Sequence, residues 1–291
     1  MPRFELRLLG GATLLTADGR PVAGRAAHRR RIALLARLAV AHPGGVSREK
    51  LVGLLWPERD APSARHLLRG AIHELRDALG GPAIVTAGEE VQLDPRIVQV
   101  DLHAFEAALA VGALARAVAL YRGPFADGLF VDDAGAFEEW VAAERARLAR
   151  RHEEAIEALA TSAERDGDPA AGAGWWRALA GARPGDGRVA LRTIEALAAG
   201  GDAAGALAHA ELHAAHLRAE YGAGPDPALR AAVARIEGGH RAPPPSRPGA
   251  TDGSEPPIAA AVAAPTPDPP PTAAASAPPA AASADGAAVP H

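Results

Sequence analysis

From Val100 to about residue 238, apolar residues recur at helical spacing almost without interruption. Within that run Gly167-Asp168 returns 34 residues later as Gly201-Asp202, each pair lying between two helical segments of similar length. A recurrence of this length with short connections restricts this half of the chain to a stack of antiparallel helix pairs. Tetratricopeptide-type repeats have that layout, and so do other helical arrays; the period does not separate them. "VDLHAFEAALA" and "ALARAVALY" make a first pair, and "RGPFADGLFVDDAG" reads as a loop with buried aromatic anchors. "AFEEWVAAERARLARRHEEAIEALATSAER" is a long helical stretch, either continuous or broken near Arg150, and four further helices follow.

The first hundred residues follow a different rhythm. Phe4, Leu6 and Leu8 alternate with polar residues as on a half-buried strand. A second run, Ala12 to Thr16, leads to the hairpin signal Asp18-Gly19, and Arg20 to Ala23 is expected to return as a third strand of an antiparallel sheet. "HRRRIALLARLAVAHPGG" reads as a helix stopped by Pro43-Gly44-Gly45. Ser47 is placed to cap "REKLVGLLW", with Glu49 in its favourable first turn. The loop PERDAPS then leads into "SARHLLRGAIHELRDALGG", and "AIVTA" and "VQL" flank a turn at Gly88-Glu89. The order sheet, three helices, hairpin is that of a winged helix-turn-helix. The expected fold class is therefore mainly α with small β: winged helix at 1–100, tetratricopeptide-like helical domain at 101–238, and a tail at 239–291.

Wound at 100° per residue, the helix near 63–81 puts Ala64, Leu67, Leu68, Ala71, Ile72, Leu75, Ala78 and Leu79 on one face. Arg65, His66, Arg69, His73 and Arg76 fall on the other, with Glu74 and Asp77 toward the far edge of the polar arc. Such a face is either a solvated surface or a surface for DNA. A helix fits the major groove, where Arg bonds guanine with two parallel donors, and Arg or His meets phosphate. The preceding and following elements favour DNA. Arg29 and Arg30 are then candidate phosphate contacts, and Thr86 on the wing belongs to the same candidate set. Charge agrees: residues 1–100 carry fifteen Arg or Lys against ten Asp or Glu, whereas 101–237 carry fourteen against twenty-one. The two halves therefore suit different partners. The rival reading is a protein-interaction scaffold whose first domain does not bind DNA. A basic patch continuous from helix to wing favours DNA, and interruption by Glu74, Asp77, Glu89 and Glu90 favours the scaffold.

Other chemistries find little support. The chain has no Cys, so there is no disulfide framework and no thiolate site, and a reducing, cytoplasmic setting is expected. No apolar run approaches the length of a membrane span, and the N-terminus does not read as a signal peptide. There is no GxSxG, no HExxH and no GxxxxGK[ST], so no enzyme and no cofactor is expected. His209, His213 and His216 share one helix face and could hold zinc, but polar lining of a surface or groove is the plainer reading, and no metal is expected. Asp132-Asp133 reads as a solvated pair, and Trp175-Trp176 as core or repeat packing with one ring inward. From Gly239 the last 53 residues hold 14 Pro and 17 Ala and no Leu, Phe, Tyr or Trp, a composition that cannot offset its ordering entropy.

"SREKLVGLLWPERDAPSARHLLRGAIHELRDALG", "VDLHAFEAAL", "ALYRGPFADGL" and "FEEWVAAERARL", in that order, resemble the SARP-type bacterial transcriptional activators over roughly residues 3–238. Those proteins join a winged helix to a helical bacterial transcriptional activator domain. The resemblance implies binding to double-stranded promoter DNA, often at direct repeats, where a homodimer could sit, and contact with RNA polymerase. By position, the helix at 63–80 would be the recognition helix and 83–94 the wing. The loop from Trp56, through Glu58, Arg59 and Asp60, to Ser63 would be the region that meets polymerase. There is no receiver domain, and the Ala/Pro-rich tail departs from what the resemblance predicts.

Overall fold

The computed structural model describes residues 3–80 and 82–240. Residues 241–291, which hold nearly all of the expected unfolded tail, lie outside the described residues, as does Gly81. The helix expected to end at Gly238 runs two residues further, to His240.

The chain opens with β1 (Phe4–Arg7) and β2 (Thr13–Thr16), paired antiparallel. The Asp18-Gly19 turn forms, with Gly19 at φ 78° and its N–H donating to the Thr16 carbonyl at 2.9 Å. The expected third strand does not: Arg20 to Ala23 contributes one isolated bridge, Leu15 to Pro21, where proline has no N–H to extend a ladder. The other edge of β1 is instead taken, in parallel, by Val98–Val100, so the sheet is mixed rather than antiparallel. Three residues are too few for a visible alternation, and these run directly into a helix.

Helix α1 (Arg29–Val40) buries Ile32, Leu34, Leu35 and Leu38. A two-residue strand, β3 (Val46–Ser47), precedes α2 (Arg48–Leu55), and the Ser47 hydroxyl accepts from the Lys50 N–H at 3.3 Å. Helix α3 (Ala61–Leu79) starts two residues before the expected point. Asp60 caps it, accepting from the Ser63 N–H at 3.0 Å, and Pro62 suits the first turn. The wing is β4 (Ile84–Ala87) and β5 (Glu90–Leu93), turned at Gly88, and β3 adds to β5 to make a three-stranded sheet. The parallel edge strand of the first sheet is β6 (Val98–Val100).

Helices α4 (Asp101–Ala110) and α5 (Leu114–Leu120) pack as a pair against α6 (Gly135–Arg165). Helix α6 runs continuously through Arg150, which settles the alternative that the sequence left open there. Then α7 (Pro169–Ala182), α8 (Gly187–Ala199), α9 (Ala203–Tyr221) and α10 (Pro227–His240) follow, each of α7 to α9 packed on the helix before it. The 34-residue recurrence has a simple cause. Gly167 and Gly201 take φ of 74° and 83°, closing one helix in a conformation that excludes most side chains. Asp168 and Asp202 then cap the next helix through the N–H groups of Ala171 and Gly205.

One apolar core runs from Leu6 through the winged helix and on to Leu148, and a second begins at Ile156 and ends at Leu229. The first core therefore crosses from the winged helix into α4, α5 and α6. Asp101, at the start of α4, fixes this junction: its carboxylate, 5% exposed, accepts from the N–H groups of Leu8 at 2.8 Å and Leu9 at 3.1 Å. Arg145 on α6 donates to the carbonyls of Phe125 and Ala126, both at 2.7 Å, tying down the aromatic loop.

Candidate nucleic-acid interface

Helix α3 buries Ala64, Leu68, Ala71, Ile72, Leu75 and Leu79, so its remaining positions face outward. Arg65, His66, Arg69 and His73 are exposed along that outward side. Leu67, expected in the core, is 40% exposed among them. Arg65 and Arg69 border an open hollow of about 520 Å³ together with Arg48, Glu49, Leu68 and Glu89. This hollow lies between the start of α2, the outer face of α3 and the turn of the wing. Arg48 was not among the sequence candidates; its position directly after the cap Ser47 is the signal that could have found it.

The other candidates divide. Arg76 does not join the exposed row. Its Nε and Nη2 donate to the Ile84 carbonyl at 2.9 and 2.7 Å, and Nη2 donates to Thr86 Oγ1 at 3.2 Å. Arg76 and Thr86 thus hold the wing on α3. Glu74 turns inward to Arg31, with Arg25 at 3.5 Å, so it does not break the exposed basic row. Asp77 lies 3.5 Å from His73 and Glu89 borders the same hollow as Arg65, so acidic groups remain at both ends. The carboxylate of Glu90 lies over Gly45 beside the β3–β5 pairing.

Arg29 and Arg30 begin α1 and border a different hollow, of about 590 Å³, with Phe130, Asp132 and Asp133. Arg30 Nη2 donates to the Asp132 carbonyl at 2.5 Å, so the acidic pair meets Arg30 by its backbone. Arg30 also reaches a smaller hollow of about 240 Å³ shared with Arg31, Trp56 and His66. Of the loop before α3, Glu58 and Arg59 are exposed. Trp56 is buried at 5% exposure, and Asp60 is the helix cap, its carboxyl held below the usual range by the bonds from Ser63. Residues Ala61 to Ser63 are helical, so the free loop is shorter than expected.

Elsewhere Trp176 is buried at 1% exposure and Trp175 is half-buried, as the 100° step between neighbours requires. Among the described residues no three His, Asp or Glu side chains gather closely enough to hold a metal ion, and no helix is long and apolar enough to cross a membrane.

Comparison with known proteins adds two findings. Residues 96–237 match the profile of the Bacterial transcriptional activator domain. The fold is similar to that of "Mycobacterium tuberculosis EmbR in complex with low affinity phosphopeptide", with TM-score 0.57 and 24% identity over 82% of this chain and 66% of that one. The chain thus spans just under two thirds of the length of EmbR. No curated protein sequence matches it. The domain match falls on the helical half that the resemblance assigned to such a domain, and with the shared fold it supports the resemblance to SARP-type bacterial transcriptional activators.

Proposed function

We propose that this chain is a DNA-binding transcription regulator, an activator, whose α3 enters the major groove of promoter DNA while the wing meets the flanking backbone. The observation that carries the reading is the exposed row Arg65, His66, Arg69 and His73 beside Arg48, on a helix that buries Ala64, Leu68, Ala71, Ile72, Leu75 and Leu79 on its other side. A three-helix unit with a hairpin anchored on its third helix presents that row rigidly, as base readout requires. Glu49 and Glu89 in the same hollow make the patch discontinuous. On this reading they act against wrong sequences rather than for affinity, because a carboxylate accepts from cytosine and repels phosphate.

Glu58 and Arg59, exposed in the loop before α3, and separately the surface of the helical domain, are the proposed sites of contact with RNA polymerase or another protein, and the protein works beside the chromosome. A homodimer on repeated sites would raise affinity without new contacts per module. The phosphopeptide of EmbR is not carried over, because a third of that chain has no counterpart here.

The test is to map genomic fragments bound by the purified full chain and compare the Arg65→Ala/Arg69→Ala double variant. With about four phosphates neutralised per module, log affinity should fall against log salt with a slope of about −3.6. Arg69→Ala should cost about 1–3 kcal/mol and relax sequence preference if it reads a base. If it meets phosphate, all sequences should weaken alike and the slope should shrink by about one. A double variant that stays folded and binds as the parent does overturns the reading and favours the scaffold.

A further inference from the structure

His209 and His213 stand one turn apart on α9, and both border a cavity of about 170 Å³ enclosed by α9, α8 and the corner between α7 and α8. The Nε2 atoms of both rings are buried and have no hydrogen-bond partner. His213 is only 5% exposed, and its Nδ1 lies 2.9 Å from the Pro184 carbonyl. A carbonyl can only accept, so Nδ1 carries the proton and Nε2 offers a lone pair. Two buried ring nitrogens without partners, one helical turn apart beside a largely apolar pocket, are costly to leave unmet.

We propose that His209 and His213 form a two-histidine site for a borderline divalent transition-metal ion of the zinc, nickel or cobalt class. The spacing of four residues puts both rings on one helical face, as in helical zinc sites. The Pro184 carbonyl behind His213 is the support that metal-bound histidines commonly have: it fixes tautomer and ring orientation. No carboxylate borders the cavity, so magnesium or calcium would find none of the anionic oxygens they favour. Arg183, the one charged side chain of the lining, is matched by Glu153 at 2.6 Å and Asp186 at 3.9 Å, so its repulsion of a cation is offset. Water would complete the coordination of the two rings. An ion here would brace α9 against the Pro184 corner. The site is independent of the DNA reading.

The experiment uses the full chain without an affinity tag, titrated with Zn²⁺, Ni²⁺ or Co²⁺ by calorimetry, with Mg²⁺ as the control. One ion per chain should bind, the melting temperature should rise with the ion, and Mg²⁺ should do neither. His209→Gln should abolish the saturable phase while leaving the metal-free melting temperature near that of the parent. In ¹⁵N spectra, Zn²⁺ should move the Nε2 resonances of His209 and His213 and leave Nδ1–H of His213 in place; this holds the proposal open to refutation even if His213→Gln fails to fold. Absence of stoichiometric binding, binding unchanged in His209→Gln, or shifts confined to other histidines overturns it. So does exclusive occupation of the cavity by a small organic donor, seen as a ligand that blocks Zn²⁺.

Discussion

Arg76 of α3 binds the Ile84 carbonyl of β4 with two donors of one guanidinium, at 2.9 and 2.7 Å, and so ties α3 to the wing. The pairing of β3 with β5 and the buried Ile84 and Val91 hold the hairpin as well, and the clamp fixes its first strand against α3.

Arg76→Ala should therefore lower stability by about 1–3 kcal/mol in urea unfolding, because the half-buried Ile84 carbonyl loses its partner. Arg76→Lys should recover little of it, since an ammonium cannot supply two parallel donors in that plane. A direct role in reading DNA makes the opposite prediction: unchanged stability with an altered sequence preference.

Asp101→Ala should orphan the N–H groups of Leu8 and Leu9 at the junction of the winged helix with α4. The cost should be about 1–3 kcal/mol for each orphaned amide. Hydrogen exchange at those two amides should rise with it. Protection that persists in the variant would show that the junction is held by packing alone.

Trp176→Ala should cost about 3–5 kcal/mol, since the ring is buried and its Nε1–H donates to Glu164 at 2.8 Å. Trp175→Ala, at the margin of the same core, should cost about 1 kcal/mol. Equal losses in thermal unfolding would mean that the second core is packed differently.

Burial pushes the His103 imidazolium down, a shift opposed by the bond of its Nε2–H to the Ala39 carbonyl at 2.8 Å and assisted by the stacked His42. His152, stacked on Tyr121, is pushed down by burial too. In each case the folded value lies below the ordinary imidazole value of about 6.5, so the unfolded chain binds protons first. Stability contributed by the neutral rings is full above about pH 6.5 and falls as pH drops through that value toward the folded one. Unfolding midpoints should decline as pH falls below about 6.5, and His103→Gln should flatten the decline. A midpoint independent of pH below that value would contradict it.

Much of this was legible because it is local. The alternation of Phe4, Leu6 and Leu8, the cap Ser47, the Gly-Asp pairs at 167–168 and 201–202, and the apolar stripe of α3 each depend on neighbours within about four residues. Helix α6 reads as long for the same reason. What failed was short or contextual. Strands β3 and β6 have two and three residues, below the length at which a period can be seen, and both exist only because an edge of a sheet was there to receive them.

The candidate interface divides along the same line. The sequence by itself determined that α3 has a basic side, since side-chain direction on a helix follows from 3.6 residues per turn. It determined too that a hairpin follows α3, and that a helical array follows the hairpin. Only the tertiary structure decided which basic groups remain free. Arg76 was taken by the wing, Glu74 was withdrawn toward Arg31, Trp56 was buried, and Arg48 was brought beside Arg65 and Arg69. Each of these depends on an element that arrives from elsewhere in the chain. A long side chain at the edge of a helical face can reach solvent or a neighbouring carbonyl, and the position of that carbonyl is set by how the elements pack, not by residues near it in sequence.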